Sequence, residues 1–150
     1  MTHTQIRRAV ADDVPAIVAM LADDRLGATR ESADDLSPYR SAFDDIDADP
    51  RQHLMVAVRE DRVVGTLQLT VIPGLSRRGS KRALIEAVRV HRSERGQGLG
   101  KQLIEWAIAE SGRLGCALVQ LTSDATREDA HHFYERLGFN RSHVGFKLQL

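Results

Sequence analysis

The chain has 150 residues, enough for one domain, and its 21 basic side chains are balanced by 21 acidic ones, which argues against a general nucleic-acid binder because such a protein needs a basic surplus to displace counterions. Cys116 is the only cysteine, so no intrachain disulfide can form and a reducing compartment is expected. No apolar run approaches the ~20 residues of a membrane span, and the start of the chain lacks a signal-peptide core, so the cytoplasm is the expected location.

In chain order, Ile6 to Val10 reads as a first strand. Asp12 or Asp13 can cap a helix that carries Pro15 in its first turn and Val14, Ile17, Val18 and Leu21 on one face. Asp23 to Leu36 is charged and reads as a loop or broken helix, of the kind that meets ligands. Ser37-Pro38 opens a second helix that runs to about Ile46. His53–Arg59, Val63–Ile72 and Arg82–Val90 are three strand candidates with short connections, which implies an antiparallel meander. Leu99, Leu103, Trp106 and Ala107 share a helical face, so a helix is expected from about Gln97 to Arg113. Ala117–Thr122 is a short apolar strand, and Cys116 beside it reads as a packing thiol. Strand, helix, strand in that order implies a right-handed crossover and a parallel pair. Thr126-Arg127-Glu128-Asp129 resembles a capping box at the start of a last helix, which stops near Leu137-Gly138. Phe139 to Leu150 is expected to close the chain as a strand. The fold class is therefore mixed α/β, with helices on the faces of one sheet.

The helix after Val90 starts strangely. Gly96, Gly98 and Gly100 all fall in or before its first turn, where glycine disfavours helix. Missing side chains let backbone N–H groups approach a bulky anion, and the first N–H groups of a helix have no internal partner. A pyrophosphate satisfies both conditions; tight strand-to-helix packing is the competing explanation. The spacing does not fit a dinucleotide Gly-x-Gly-x-x-Gly turn, and Gln102 after Gly100-Lys101 breaks the phosphate-loop pattern.

The turn Arg95-Gly96-Gln97-Gly98-Leu99-Gly100 resembles the Arg/Gln-x-x-Gly-x-Gly/Ala signature of the GNAT superfamily of N-acetyltransferases. It follows the strand Glu86-Ala87-Val88-Arg89-Val90, and Ala130-His131-His132-Phe133-Tyr134-Glu135-Arg136-Leu137-Gly138-Phe139 is similar to that superfamily's second block. Over nearly the whole chain the resemblance implies one N-acetyltransferase domain. Its mostly antiparallel twisted sheet would carry a splayed parallel strand pair that opens a wedge for acetyl-CoA, the co-substrate. It implies further that Val88, Arg89 and Val90 meet the pantetheine arm, with backbone groups of Val88 and Val90 pairing to it. Gln97, Gly98, Leu99 and Gly100 would hold the pyrophosphate with their N–H groups, beside Gly96, and Arg95 would brace the turn. Many members carry asparagine where this chain has Arg127, which would then meet a phosphate instead.

An amine attacks a thioester only as the free base, and neutralising an ordinary lysine-like amine at pH 7.5 costs about 4 kcal/mol. A carboxylate base or a water relay can offset that, and the departing thiolate needs a proton. Tyr134, in the superfamily's tyrosine position, is the candidate acid. Glu86, inside the apolar run Leu84-Ile85-Glu86-Ala87-Val88, is the candidate base, expected to be desolvated by the strand around it. His131 and His132 point about 100° apart on one helix and read as packing or surface residues; no metal site is expected. Asp129–Tyr134 and Ser142-His143 also resemble small-molecule acetyltransferases, including those acting on aminoalkylphosphonates. The expected partner is a small-molecule amine, with neither nucleic acid nor membrane, and a homodimer stays open. Two other uses compete: an acyl-CoA-holding sensor without turnover, and an interaction domain working through the basic segment Arg77–Arg82.

Overall fold

The computed structural model describes residues 3–150, and these form two compact units, one through Gln120 and one from Leu121 to Leu150. The first holds a single sheet of five strands in the order β1 (Gln5–Arg8), β2 (Gln52–Arg59), β3 (Arg62–Ile72), β4 (Lys81–Val90) and β5 (Cys116–Gln120). Neighbours are antiparallel except β4 and β5, which are parallel, as the intervening helix requires. The mixed, mostly antiparallel sheet expected from the sequence is present.

Alternation along β3 divides the core. Leu67 and Leu69 are fully buried, and they stand beside Met55 on β2 and Ile85 on β4. This face receives helix α5 (Leu99–Arg113), whose Leu99, Leu103, Ile104 and Ala107 are all buried. Gly65 lets the helix come close, since a Cβ there would lie 3.0 Å from the Leu103 side chain. The opposite face receives α1 (Val14–Ala22) and α3 (Ser37–Ala48), where Val14, Ile17, Val18 and Phe43 close over Val56. Burying each such side chain stabilises the unit by roughly 1.5–3 kcal/mol.

Before α1 the chain makes a short 3-10 turn, Ala11–Asp13, and Asp13 serves that turn rather than capping the helix. Its carboxylate accepts Val10 N–H at 2.8 Å and two bonds from Arg7 at 2.7 and 3.1 Å. Burial pushes the Asp13 carboxyl up, but the Arg7 and Val10 hydrogen bonds outweigh it and hold the group below its usual range.

Between α1 and α3 the expected broken helix is one turn, α2 (Gly27–Arg30). Gly27 permits it, because a Cβ at that position would lie 1.8 Å from the carbonyl oxygen of Leu21. α4 (Ser76–Gly79) is a single turn in the β3–β4 connection, with Arg77 and Arg78 in the left-handed region. At the far end of α5, Lys81 Nζ donates to the Leu114 carbonyl at 2.8 Å and so ties the start of β4 to the end of the helix. Cys116 is half-buried rather than packed inside.

The second unit contains α6 (Glu128–Arg136) and the closing segment. Two expectations fail here. The capping box does not form: the N–H and the hydroxyl of Thr126 both turn back to Asp124, at 2.9 and 2.5 Å, and the helix takes Arg127 as its N-cap, with no side-chain cap bond at that position. Nor do residues 139–150 form a strand. The apolar alternation is there, but a strand needs a ladder, and among the described residues none pairs with this segment; every residue from Asn140 onward is exposed.

Candidate active site

β4 changes character halfway along. From Arg82 to Leu84 it pairs with β3 on one side and with β5 on the other, and Lys81 pairs with β5; from Ile85 to Val90 only the β3 pairing continues. The two parallel strands therefore part after Leu84 and Gln120, and among the described residues no strand pairs with that edge of the second half of β4.

A bulge sits in that open half. Glu86 pairs with Gln68 and Arg89 with Thr66, so Ala87 and Val88 together face the one residue Leu67. Ala87 has φ 54°, in the left-handed region that a side chain disfavours. The extra residue changes which side chains share a face. Without it Val88 would follow Glu86; with it Arg89 does, and Arg89 Nε lies 2.9 Å from Asp24 Oδ2. His91 N–H donates to Val64 O on β3 at 2.8 Å, and strand alternation then turns the backbone groups of Val88 and Val90 to the open edge. Their carbonyls are met there by guanidinium groups, Val88 O by Arg89 at 2.9 Å and Val90 O by Arg95 at 3.3 Å.

Beyond Val90 a 3-10 turn, Arg92–Glu94, leads to Arg95 and the glycines. Gly96 has φ 78° and Gly98 φ 81°, so both positions favour glycine by backbone alone. A Cβ at either would meet nothing within 4 Å. Tight packing therefore does not explain these two glycines; they border open space. Gly98 is the N-cap of α5, which starts two residues later than expected, at Leu99, because αL geometry at Gly98 cannot belong to the helix. The first bond of the helix ladder runs from Gln102 N to Gly98 O at 3.1 Å, so the N–H groups of Leu99, Gly100 and Lys101 precede it and have no helical acceptor.

The turn is held from two directions. Arg59, at the end of β2, reaches Glu94 at 2.9 Å and Gln97 Oε1 at 3.3 Å, and Arg62 reaches Glu94 at 3.4 Å. The Arg59 and Glu94 side chains are only 11% and 14% exposed, so solvent screens this pair weakly. On the other side Asp23 takes Arg92 at 2.8 Å and Arg95 at 3.6 Å. Asp23 and Asp24 thus tie the loop after α1 to both the turn and the bulged strand. The sequence reading flags Asp23 and Asp24 only as part of a charged loop and Arg59 only as the end of a strand, and assigns none of them, nor Glu94, to the turn. Their only local sign is an Asp-Asp pair at the end of a helix and a glutamate before Arg95.

Glu86 lies on the sheet face of α1 and α3, beside Gln68, which bonds to Gln52 at 2.8 Å; Thr70 bonds to the same Gln52 oxygen at 2.8 Å. The row is polar, and Glu86 is exposed rather than desolvated. Ala83 and Ile85 occupy the buried face, and strand alternation turns Glu86 away from it. In the second unit, Tyr134 lies on α6 between two aromatic rings, with Phe133 at 5.1 Å and Phe139 at 5.9 Å, both edge-on. Arg127 N–H donates to Asp124 O at 3.0 Å at the start of that helix. Among the described residues no group of three histidines, cysteines or acids is placed to hold a metal, and no helix is long and apolar enough to cross a membrane.

Known proteins resemble this chain in sequence and fold. The profile of the Acetyltransferase (GNAT) family matches residues 17–139, a stretch that spans both units. Aminoalkylphosphonate N-acetyltransferase of Salmonella typhimurium is 30% identical over 150 residues, 100% of this chain and 94% of that protein. Glucosamine 6-phosphate N-acetyltransferase of Trypanosoma brucei brucei is 39% identical over 89 residues, 59% of this chain and 58% of that one. A crystal structure described as a transcriptional regulator from Bacillus halodurans C-125 superposes with a TM-score of 0.96 at 46% identity, covering 99% of this chain and 100% of its own. With its open-edged β4, its glycine turn and these relatives, the chain belongs to the GNAT acetyltransferase family and is an N-acetyltransferase.

Proposed function

We propose that the chain transfers the acetyl group of acetyl-CoA to the primary amine of a small molecule, by direct attack of the amine on the thioester, within one domain spanning residues 1–150. The observation that carries this reading is the join between the open edge of β4 and the glycine turn. Backbone groups of Val88 and Val90 face an edge without a strand, with Arg89 beside them. Within a few residues Gly96 and Gly98 border open space at a helix start, and the N–H groups of Gln97, Gly98, Leu99 and Gly100, beside Gly96, are assigned to the pyrophosphate. An extended amide arm fits the first, and a diphosphate fits the second. Arg95, bonded to Val90 O and paired with Asp23, holds the two at a fixed angle. Arg127 is assigned to a phosphate. The bound co-substrate supplies the activated acetyl group.

The chain supplies the proton chemistry. Glu86 draws the proton from the incoming ammonium, through water because its carboxylate is exposed. Tyr134 donates to the departing sulfur; a phenol ionises near pH 10 and a thiol near 8.5, so the donation is a stabilising hydrogen bond more than a full transfer. Substrates bearing a phosphonate or phosphate near the amine are the first to test, since two of the relatives are named for such amines, an aminoalkylphosphonate and glucosamine 6-phosphate. The test is release of CoA thiol from acetyl-CoA with a panel of aminoalkylphosphonates, amino sugar phosphates and neutral amines. Amine-dependent release is expected. CoA binding without release for any amine would replace turnover by a sensing role.

A further inference from the structure

Glu94 is an awkward neighbour for an anion site. It stands two positions before Gly96, and a carboxylate there repels a diphosphate at the turn unless its charge is neutralised. Its side chain is mostly buried, so water and salt screen it weakly. Two guanidinium groups neutralise it instead: Arg59 lies 2.9 Å from one carboxylate oxygen and Arg62 3.4 Å from the other.

The hairpin between β2 and β3 places both cations. Its loop is two residues, Glu60 and Asp61, with φ 49° and 62°, the left-handed pair that a primed two-residue turn requires. Arg59 and Arg62 close that loop as a register pair. Arg62 is exposed, whereas Arg59 is fixed by further bonds. Its Nε donates to Thr4 Oγ1 at 2.5 Å, and the Nη1 group that meets Glu94 also donates to Gln97 Oε1 at 3.3 Å. Gln97 stands between Gly96 and Gly98, two residues whose missing side chains leave the backbone many alternatives to its left-handed geometry. Of the three, Gln97 has the side chain, and through it the sheet holds the segment.

On the reading of the glycine turn as the diphosphate site, on which this inference rests, we propose that Arg59 is a positioning residue for the co-substrate, acting through Glu94 and Gln97. It neutralises the first and tethers the second, so the turn is ready for a diphosphate before one arrives. A glycine segment left loose has to be ordered when the ligand binds, and that ordering is subtracted from affinity; a segment already fixed avoids the loss. With two guanidinium groups on one carboxylate, the surroundings of Glu94 also carry no net negative charge. The effect is confined to the diphosphate end, because the extended arm is assigned to Val88 and Val90, on the other side of Arg95 in the chain.

The test compares two ligands by calorimetry on the full-length protein: CoA, and pantetheine, which keeps the extended arm and lacks the diphosphate. Hydrogen exchange over residues 94–100 is followed in the same protein without ligand. Arg59→Ala should weaken CoA binding about tenfold or more, the worth of one hydrogen bond to a charged group. It should also speed exchange across the turn and leave pantetheine affinity unchanged. Adding Glu94→Ala to that variant removes the unneutralised carboxylate and should restore part of the CoA affinity. Gln97→Ala, at an exposed position, should weaken CoA by a smaller factor, again without effect on pantetheine, and covers the case in which Arg59→Ala misfolds. Unchanged CoA affinity in the folded variants would overturn the positioning role. An equal loss for both ligands would overturn it too, since general loosening of the unit does that. Wild-type protein that binds no CoA would instead remove the reading of the turn itself, and the role of Arg59 with it.

Discussion

The two halves of β4 make a controlled comparison, because they share one strand and one neighbour, β3. From Lys81 to Leu84 the strand has a second neighbour, with one shift of register against it between Lys81 and Arg82, and the buried Ala83. From Ile85 to Val90 it loses β5, gains a left-handed alanine and exposes Glu86 and Ala87. The first half holds the sheet together. The second has no strand on that side, and there the carbonyls of Val88 and Val90 are met by the guanidinium groups of Arg89 and Arg95 instead. It is this half that the proposed reading gives to the co-substrate.

If that division is right, substitutions should sort by half. The largest effect is expected just past the open half. Gly98→Asp puts a side chain on a left-handed residue and a negative charge where phosphate is proposed to lie. Calorimetry should show no CoA binding, while circular dichroism shows the apo fold; unchanged affinity would move the site elsewhere. Ile85→Ala, at the junction, removes a side chain that is 2% exposed in the α5 core. It should cost about 2–5 kcal/mol in chemical denaturation, with CoA affinity preserved in protein that remains folded. Glu86→Gln, one residue on, should do the reverse: stability stays, and turnover at neutral pH falls about 10²-fold. Turnover should recover in part as pH rises and more amine is already neutral. A loss that is equal at every pH would make Glu86 a positioning residue.

Smaller effects sharpen the division. Tyr134→Phe keeps the ring between Phe133 and Phe139 and removes the hydroxyl. A lost hydrogen bond of about 0.5–1.5 kcal/mol corresponds to a drop in kcat of up to roughly tenfold, with the Kd for acetyl-CoA unchanged; a change in Kd alone would assign Tyr134 to binding. The smallest shift is expected at the bulge. Left-handed geometry costs an alanine about 1–2 kcal/mol, so Ala87→Gly should leave the melting temperature equal or slightly raised, whereas Ala87→Val should lower it.

Much of this was legible in the residues, and the failures have identifiable causes. The four strands from His53 to Thr122 were visible as apolar runs, each within two residues of its final bounds at either end, because runs of that kind have few alternatives to a sheet. The glycine turn was visible because three poor helix formers at a helix start need a reason. The bulge was not, since alanine carries no signature of left-handed geometry. Asp23, Asp24, Arg59 and Glu94 were not visible either: ion pairs across 35 to 72 positions of chain exist only once the sheet has set them side by side. At the last helix two local readings competed for Thr126, and Asp124, two residues before it, won. For the closing segment the alternation was legible and the ladder was not, because pairing is a property of two segments and the sequence displays one.

The extra residue at Ala87 has a consequence that reaches past its own geometry. Side chains along a strand obey a parity rule, even positions to one face and odd to the other. β4 breaks the rule once: Leu84 and Glu86 are even, and Arg89, on the same face, is odd. The strand is two phrases joined out of phase. Deleting Ala87 would remove no charge and no buried volume, yet it would restore the phase and carry Arg89 to the opposite face, away from Asp24. The loop after α1 would lose its tie to the strand through an alanine that takes no part in the ion pair, and comparisons between related chains must place any such one-residue gap correctly before positions beyond it are comparable.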